Sequence, residues 1–303
     1  MQKIIGIIGT DKLSWMRYQS IKSWIKWCPN CDIYIYRLKI KNLNKTWGGE
    51  VNQDYFNYDG INYWKDLEKL DINIINVKKD YNIPNISVIQ QSDIFRWELL
   101  SNENAIYFDT DIILFRPITD FINNFYNNHN IGICFHTYFY IGFLFNNSGN
   151  RFYQDLFKQS LLQAESKEYQ NAGAFAMDKV LEVNHKITIA EQSFTKGKPR
   201  EVQYIKEDDK IKCFQIKYPN FRLYNIPLET VYPFFYKIVQ QNYLTDIKIN
   251  SLGLDTFGYH WFGGLPEIQN LNNLLNHNNY KRVNCLFTNI VRYNEECINV
   301  QGN

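Results

Sequence analysis

The sequence has no long hydrophobic run, no lopsided charge and no dense set of cysteines, and each lack removes a class of protein. Apolar stretches such as residues 4–8 are short against the roughly 18 consecutive apolar residues of a membrane-spanning helix. The first residues also lack the basic-then-apolar leader of a secreted precursor. No membrane span and a cytoplasmic location are therefore expected. Lysine and arginine number 33 against 31 aspartates and glutamates, a net charge of +2. That is far from the dense positive footprint that phosphate-backbone binding requires, so nucleic acid is not an expected partner. Six cysteines over 303 residues are too sparse for a disulfide-framed domain, and reduced thiols are the expectation. Cys28 and Cys31 have the spacing of half a zinc site or a redox pair, but no matching Cys/His pair follows nearby. Two partly buried thiols around a turn are the simpler reading.

No internal repeat is found, and no stretch is rich enough in proline, glycine or serine to separate two domains. A single domain over 1–303 is expected, with residues 1–150 as its core and 151–303 carrying a C-terminal elaboration. With 45% hydrophobic and 21% charged residues, such a chain can bury a sizeable core.

What is present is an alternation of short apolar runs and helical patterns, which predicts parallel strands joined by crossover helices. Residues 3–8, 32–36, 72–77 and 105–108 read as strands; 14–27, 62–70 and 87–100 read as helices. Residues 41–60, with Trp47-Gly48-Gly49, read as a loop or insertion near the top of the sheet. Beyond them, 120–127 and 150–162 are predicted helices, and 131–136 and 140–145 strands that continue the sheet. Short strands are expected at 211–216 and 221–224 among lysine- and aspartate-rich loops, with helical patterning over 270–297. The fold class is α/β, with a mainly parallel central sheet flanked by helices.

The strand at 105–108 ends abruptly in Asp109-Thr110-Asp111. Two carboxylates two residues apart in extended backbone share one face and can converge on a cation. Hard oxygen ligands suit Mg²⁺ or Mn²⁺, whose shells are usually completed by substrate phosphates and water. Ligands of open α/β sheets bind at the carboxyl ends of strands, where this pair is predicted to lie. An isolated Asp-x-Asp is most often a polar turn, so its surroundings decide. On the preceding helix Asp93 and Arg96 stand three residues apart, on one face.

Ser92-Asp93-Ile94-Phe95-Arg96, followed after sixteen residues from Asp93 by Tyr107-Phe108-Asp109-Thr110-Asp111, resembles the signature of the DXD-containing sugar transferases. That family includes the yeast initiating mannosyltransferase and, more distantly, the clostridial glucosylating toxins. Ser20-Ile21-Lys22-Ser23-Trp24 with Pro29, and Phe115-Arg116-Pro117-Ile118, are similar to segments flanking the motif in that family. The resemblance covers about residues 1–150. It implies a Rossmann-like A-type glycosyltransferase fold, a nucleotide-sugar donor, a divalent metal (Mn²⁺ or Mg²⁺) and retention of anomeric configuration. The acceptor would be a hydroxyl of a glycan, lipid or protein.

Carried over position by position, the resemblance makes Asp93, Arg96, Asp109 and Asp111 the catalytic set. Asp93 and Arg96 would contact the donor sugar and phosphate, Asp109 the ribose and metal, and Asp111 the metal directly. Asn104-Ala105 stand where the family usually has paired glycines, and Gly9 where an aromatic residue often stacks on the base. Gly9, Thr10, Tyr18 and Thr110 join the donor-binding candidates, with Trp15 a further candidate for the base. Late in the chain, Gly258-Tyr259-His260-Trp261-Phe262-Gly263-Gly264 resembles the terminal His-plus-aromatic segment of such enzymes, making His260 a candidate third metal ligand. Tyr169-Gln170-Asn171-Ala172-Gly173 is a candidate acceptor lining, with Asn171, Gly173 and Trp261 as its residues.

Two other classes compete. An aspartate-nucleophile phosphatase also opens on a strand ending in Asp-x-Asp, but there the motif normally begins the domain and the Asp93/Arg96 helix has no role. A non-catalytic sugar-binding module would draw on 7 Trp, 22 Tyr and 21 Phe for ring stacking.

Overall fold

The computed structural model describes residues 2–39, 58–83, 86, 88–136, 139–164, 172–182, 188–195, 198–204 and 207–300. In chain order the elements are β1 (Gln2–Ile8), α1 (Trp15–Trp27), β2 (Cys31–Lys39), α2 (Trp64–Leu67), β3 (Asn73–Lys78), α3 (Val88–Asn102), β4 (Ala105–Phe108), β5 (Ile112–Leu114), α4 (Thr119–Asn124), β6 (Ile131–Phe135) and β7 (Phe139–Asn146). There follow α5 (Asn150–Gln163), α6 (Ala174–Leu181), β8 (Thr188–Thr195), β9 (Lys198–Tyr204), α7 (Glu207–Lys217), β10 (Leu223–Asn225), α8 (Tyr236–Asn242), β11 (Gly258–His260), α9 (Pro266–Leu274) and α10 (Leu286–Val300). No helix among the described residues is long and apolar enough to cross a membrane.

A seven-stranded sheet in the order β10-β6-β7-β4-β1-β2-β3 forms the centre. β3, β2, β1 and β4 pair in parallel, and β10 pairs in parallel with β6. β7 runs against both β4 and β6. The expected α/β class with a mainly parallel sheet flanked by helices is the observed one.

Strand alternation divides the core between the two faces, because successive side chains point oppositely. Ile4, Ile8, Ile33, Ile35, Ile106 and Phe108 pack with Ile21 and Trp24 of α1. Ile5, Ile7, Tyr36 and Tyr107 pack with Phe95 and Trp97 of α3. Ser14 starts α1 by accepting the Arg17 N–H (3.3 Å). Gly6 has a steric role: a Cβ there would lie 2.9 Å from the Trp24 ring, and that ring must stay in place to donate from Nε1 to the Ile112 carbonyl (2.9 Å). Fully buried Asn146 ties three elements, donating from Nδ2 to the carbonyls of Leu100 (2.7 Å) and Glu103 (3.1 Å) while accepting the Gly149 N–H (2.6 Å).

Several expectations are corrected. Residues 211–216, expected as a strand, lie within helix α7: Lys210, Phe214 and Tyr218 are buried at four-residue spacing while Ile216 is 73% exposed. The short, mostly apolar run Ile211-Lys212-Cys213-Phe214-Gln215-Ile216 masks that helical stripe. The helix expected over 62–70 contracts to α2, and that over 120–127 divides into α4 and a 3₁₀ turn at Tyr126–Asn128. The β8/β9 hairpin stands where loops were expected. β5, also unexpected, pairs antiparallel with β11 in a separate two-stranded sheet, Ile112 opposite His260. Of the loop expected over 41–60, residues 41–57 lie outside the described residues. Cys28 is buried, Cys31 half-buried, and both are free thiols; burial pushes both upward, Cys31 to about 11.

Candidate metal and donor site

β1 and β4 are adjacent and parallel, yet the chain leaves β1 for β2 on one side and reaches β4 from β3 on the other. This reversal of strand order opens a crevice outside their carboxyl ends, the place where open α/β sheets bind ligands. Asp109-Thr110-Asp111 lies there, immediately after β4. The expectation of extended backbone through the motif is corrected: the Ile112 N–H donates to the Asp109 carbonyl (2.9 Å), closing a turn. The carboxylates converge through that turn.

Strand parity explains what each residue of the motif meets. Asp109 continues the Ala105/Tyr107 parity toward α3, where its Oδ1 accepts from Tyr107 (2.6 Å) and from Arg96 Nη2 (3.1 Å). Thr110 continues the opposite parity toward α1 and accepts from Arg17 Nη1. Asp111 turns to the C-terminal half. Its Oδ2 accepts the Gly263 N–H (2.8 Å), its carbonyl accepts the Trp261 N–H (3.0 Å), and its Oδ1 lies 3.2 Å from His260 Nε2.

Asp93 and Arg96, one helical turn apart on α3, are both buried, and Arg96 Nη2 lies 3.3 Å from Asp93 Oδ1. Arg96 Nη1 donates to the Ile141 carbonyl of β7 (2.9 Å). One guanidinium therefore serves two carboxylates, and their acidities diverge. Burial pushes Asp93 up to about 7; Arg96 offsets this only partly, and the neighbouring charge of Asp109 adds to it. Burial also opposes ionisation of Asp109, but Arg96, the nearby His260 and the Tyr107 hydrogen bond outweigh it and hold that carboxyl at about 2. The difference lies in donors: Asp93 Oδ2 is buried without a hydrogen-bond partner, as is Arg96 Nε.

Asp109, Asp111 and His260 offer one ligand atom each, all within 4.8 Å of one another. His260 Nε2 lies 3.2 Å from Asp111 and 3.9 Å from Asp109. Ligands around one octahedral ion are spaced roughly 3–4.4 Å apart when each bond is a little over 2 Å. Two hard oxygens and an imidazole nitrogen at this spacing fit a divalent cation. The His260 ring is fixed between Tyr232 (centroids 4.9 Å) and Phe262 (4.3 Å), and the Phe262 N–H donates to its Nδ1 (3.2 Å). Phe262 holds this position with φ of 51°, a left-handed conformation that a bulky side chain adopts only when its surroundings enforce it.

The other sequence candidates are dispersed. Gly9 and Thr10 follow β1 at the same sheet edge as Asp109, and the Thr10 hydroxyl donates to the Lys12 carbonyl (2.9 Å). Tyr18 stacks on Tyr63 (5.6 Å), and Trp15 is buried against Tyr280 and Phe287. Trp261 is buried, its Nε1 donating to Ser20 Oγ (3.0 Å). Gly173 is buried at the start of α6. Tyr169, Gln170 and Asn171 lie outside the described residues.

Sequence reasoning missed four residues of the site. Tyr107 was legible, being two positions before Asp109 on the same strand face. Gly142 was not: a Cβ there would lie 2.7 Å from Asp109 Oδ2 and 2.6 Å from the Tyr232 hydroxyl, and its N–H donates to that hydroxyl (3.0 Å). Tyr232 and Arg17 carry no local motif.

No protein-family model and no curated protein matches the chain. Solved structures to which it is similar include glycosyltransferases. PaToxG glycosyltransferase is 18% identical over 60% of this chain and 67% of its own, with a TM-score of 0.43. GlyE of Streptococcus pneumoniae TIGR4 is 11% identical over 96% of this chain, with a TM-score of 0.41; the chain spans 63% of GlyE, less than two thirds of its length. The galactosyltransferase LgtC, solved with donor and acceptor sugar analogs, is 12% identical over 93% of this chain and 100% of its own, with a TM-score of 0.42.

Proposed function

We propose that the chain is a metal-dependent glycosyltransferase of the A-type fold that moves a sugar from a UDP- or GDP-linked donor to a hydroxyl of a glycan, lipid or protein. The observation that carries this reading is the Arg96 guanidinium clamped between Asp93 and Asp109 (3.3 and 3.1 Å), directly beside the converging Asp109, Asp111 and His260, at the β1/β4 crevice. Open α/β sheets bind ligands in such a crevice, and a donor diphosphate is the group that both a cation and a guanidinium would attract.

Asp109, Asp111 and His260 would hold Mn²⁺ or Mg²⁺, which, when bound, supplies Lewis-acid stabilisation of a departing diphosphate. Arg96 orients both carboxylates and carries positive charge to the donor side of the site. Asp93, with its unpartnered Oδ2, is poised to accept a sugar hydroxyl. Tyr107 and Arg96 fix Asp109 before substrate arrives, so little reorganisation is left for the reaction. Retention of configuration would proceed by front-face attack of the acceptor, assisted by the leaving phosphate. Residues 1–150 would form the donor half of one catalytic domain and 151–303 the acceptor half, with Asn171, Gly173 and Trp261 on that side. A nucleophilic role for Asp109, as in aspartate phosphatases, is disfavoured because it leaves the buried Asp93/Arg96 pair without a part in the chemistry.

The test is a panel of UDP- and GDP-sugars assayed for thermal stabilisation and slow hydrolysis, each with Mn²⁺ and with EDTA. Metal-dependent stabilisation and turnover of one nucleotide-sugar is expected. No response to any donor, with turnover of a phosphate monoester instead, would overturn the proposal.

A further inference from the structure

Arg17, in the first turn of α1, stands on the opposite side of the Asp109-Thr110-Asp111 turn from Arg96. Its Nη1 donates to Thr110 Oγ1, and its guanidinium lies 5.8 Å from the Trp261 ring centroid. Both supports are themselves fixed: Thr110 is buried in the turn, and Trp261 is held by Ser20 and by the Asp111 carbonyl. The guanidinium is thus tied to both segments that build the metal cluster. It is half-buried, and it has no carboxylate partner among the described residues; Nε and Nη2 have no hydrogen-bond partner there either. A half-desolvated cation without a counter-ion is costly unless something else neutralises it.

Charge within the site says what that is. Asp93, Asp109 and Asp111 are offset by Arg96 and Arg17, and a divalent ion in the cluster leaves the site short of negative charge. The N-terminus of α1 adds positive potential from the same direction. Resting on the glycosyltransferase reading above, we propose that Arg17 is a donor-binding residue whose free fork takes a phosphate oxygen of the nucleoside diphosphate, opposite Arg96. The reaction would then hold its leaving group between two guanidinium groups. One comes from each face of the sheet, positioned by the alternating parity of Asp109 and Thr110.

The experiment titrates Mn²⁺-loaded protein with UDP, GDP, inorganic pyrophosphate, uridine and guanosine, using wild type, Arg17→Gln and Arg17→Lys. Glutamine keeps a donor for Thr110 without the charge, and thermal melting checks that each variant folds. In Arg17→Gln, affinity for the responding nucleoside diphosphate and for pyrophosphate should fall roughly tenfold or more, with affinity for the matching nucleoside unchanged and Arg17→Lys intermediate. Unchanged diphosphate affinity in Arg17→Gln, or equal losses for nucleoside and nucleoside diphosphate, would overturn this role while leaving the glycosyltransferase reading intact. Failure of the wild type to bind any nucleoside diphosphate would instead overturn that reading, and this inference with it.

Discussion

Asp93 and Asp109 share one arginine and titrate in opposite directions, which makes their pH dependence separable. Asp93 is raised to about 7 by burial, against about 4 in an unfolded chain. Between those values the fold retains a proton that the unfolded chain has released, so stability falls as pH rises from about 4 to about 7. Asp109, held at about 2, contributes stability that is present above about 4 and lost as pH falls toward 2. In EDTA, Asp93→Asn should flatten the decline between pH 4 and 7 in urea-unfolding free energies and leave the acid limb intact; an unchanged profile would show that Asp93 is ionised in the fold. Asp111→Asn belongs to the same scale. Asparagine can still accept the Gly263 N–H, so the variant should fold, while Mn²⁺ affinity measured by calorimetry drops roughly 100-fold or more with the loss of a charged ligand. Asp93, Arg96, Asp109 and Asp111 were legible as candidates because their spacing in the sequence resembles a family motif, and the fold brings the four together. Arg17, Gly142 and Tyr232 were not, because only the folded chain brings them to the motif.

At the scale of elements, α7 provides the sharpest contrast between pattern and outcome. Residues 211–216 are a short, mostly apolar run of strand length, but tertiary packing buries Phe214 and Tyr218, four residues apart, against Phe152 of α5. Phe214→Ala should therefore cost about 3–5 kcal/mol, while Ile216→Ala, on the exposed side, should change stability by under about 0.5 kcal/mol. Equal losses in denaturant unfolding would argue for strand-like burial of both. The clearest successes, β1, α1, α3 and β4, are elements long enough or apolar enough to be seen as runs or stripes in the local sequence. β5 and β11 were missed because each is only three residues long and its partner lies far along the chain.

At the scale of the whole molecule, the candidate metal cluster brings together residues from the two halves of the chain. Asp109 and Asp111 follow β4, whereas His260 arrives more than a hundred residues later through the β5/β11 pairing. Binding a cation only in the folded state stabilises it by about 2.7 kcal/mol when the ion is at a hundred times its dissociation constant. Mn²⁺ should raise the midpoint of thermal unfolding for the wild type, EDTA should reverse the rise, and Asp111→Asn should show neither effect. A rise that survives in Asp111→Asn would place the responding cation elsewhere. The sequence by itself determined the α/β class, the strand-end carboxylates and the Asp93/Arg96 pair, since local periodicity and short-range spacing encode them. Only the tertiary structure decided that Asp109 faces α3 while Thr110 faces α1, that His260 reaches the carboxylates, and that one guanidinium divides between two acids. Those outcomes depend on strand pairing, close packing and burial, which act between residues far apart in the chain.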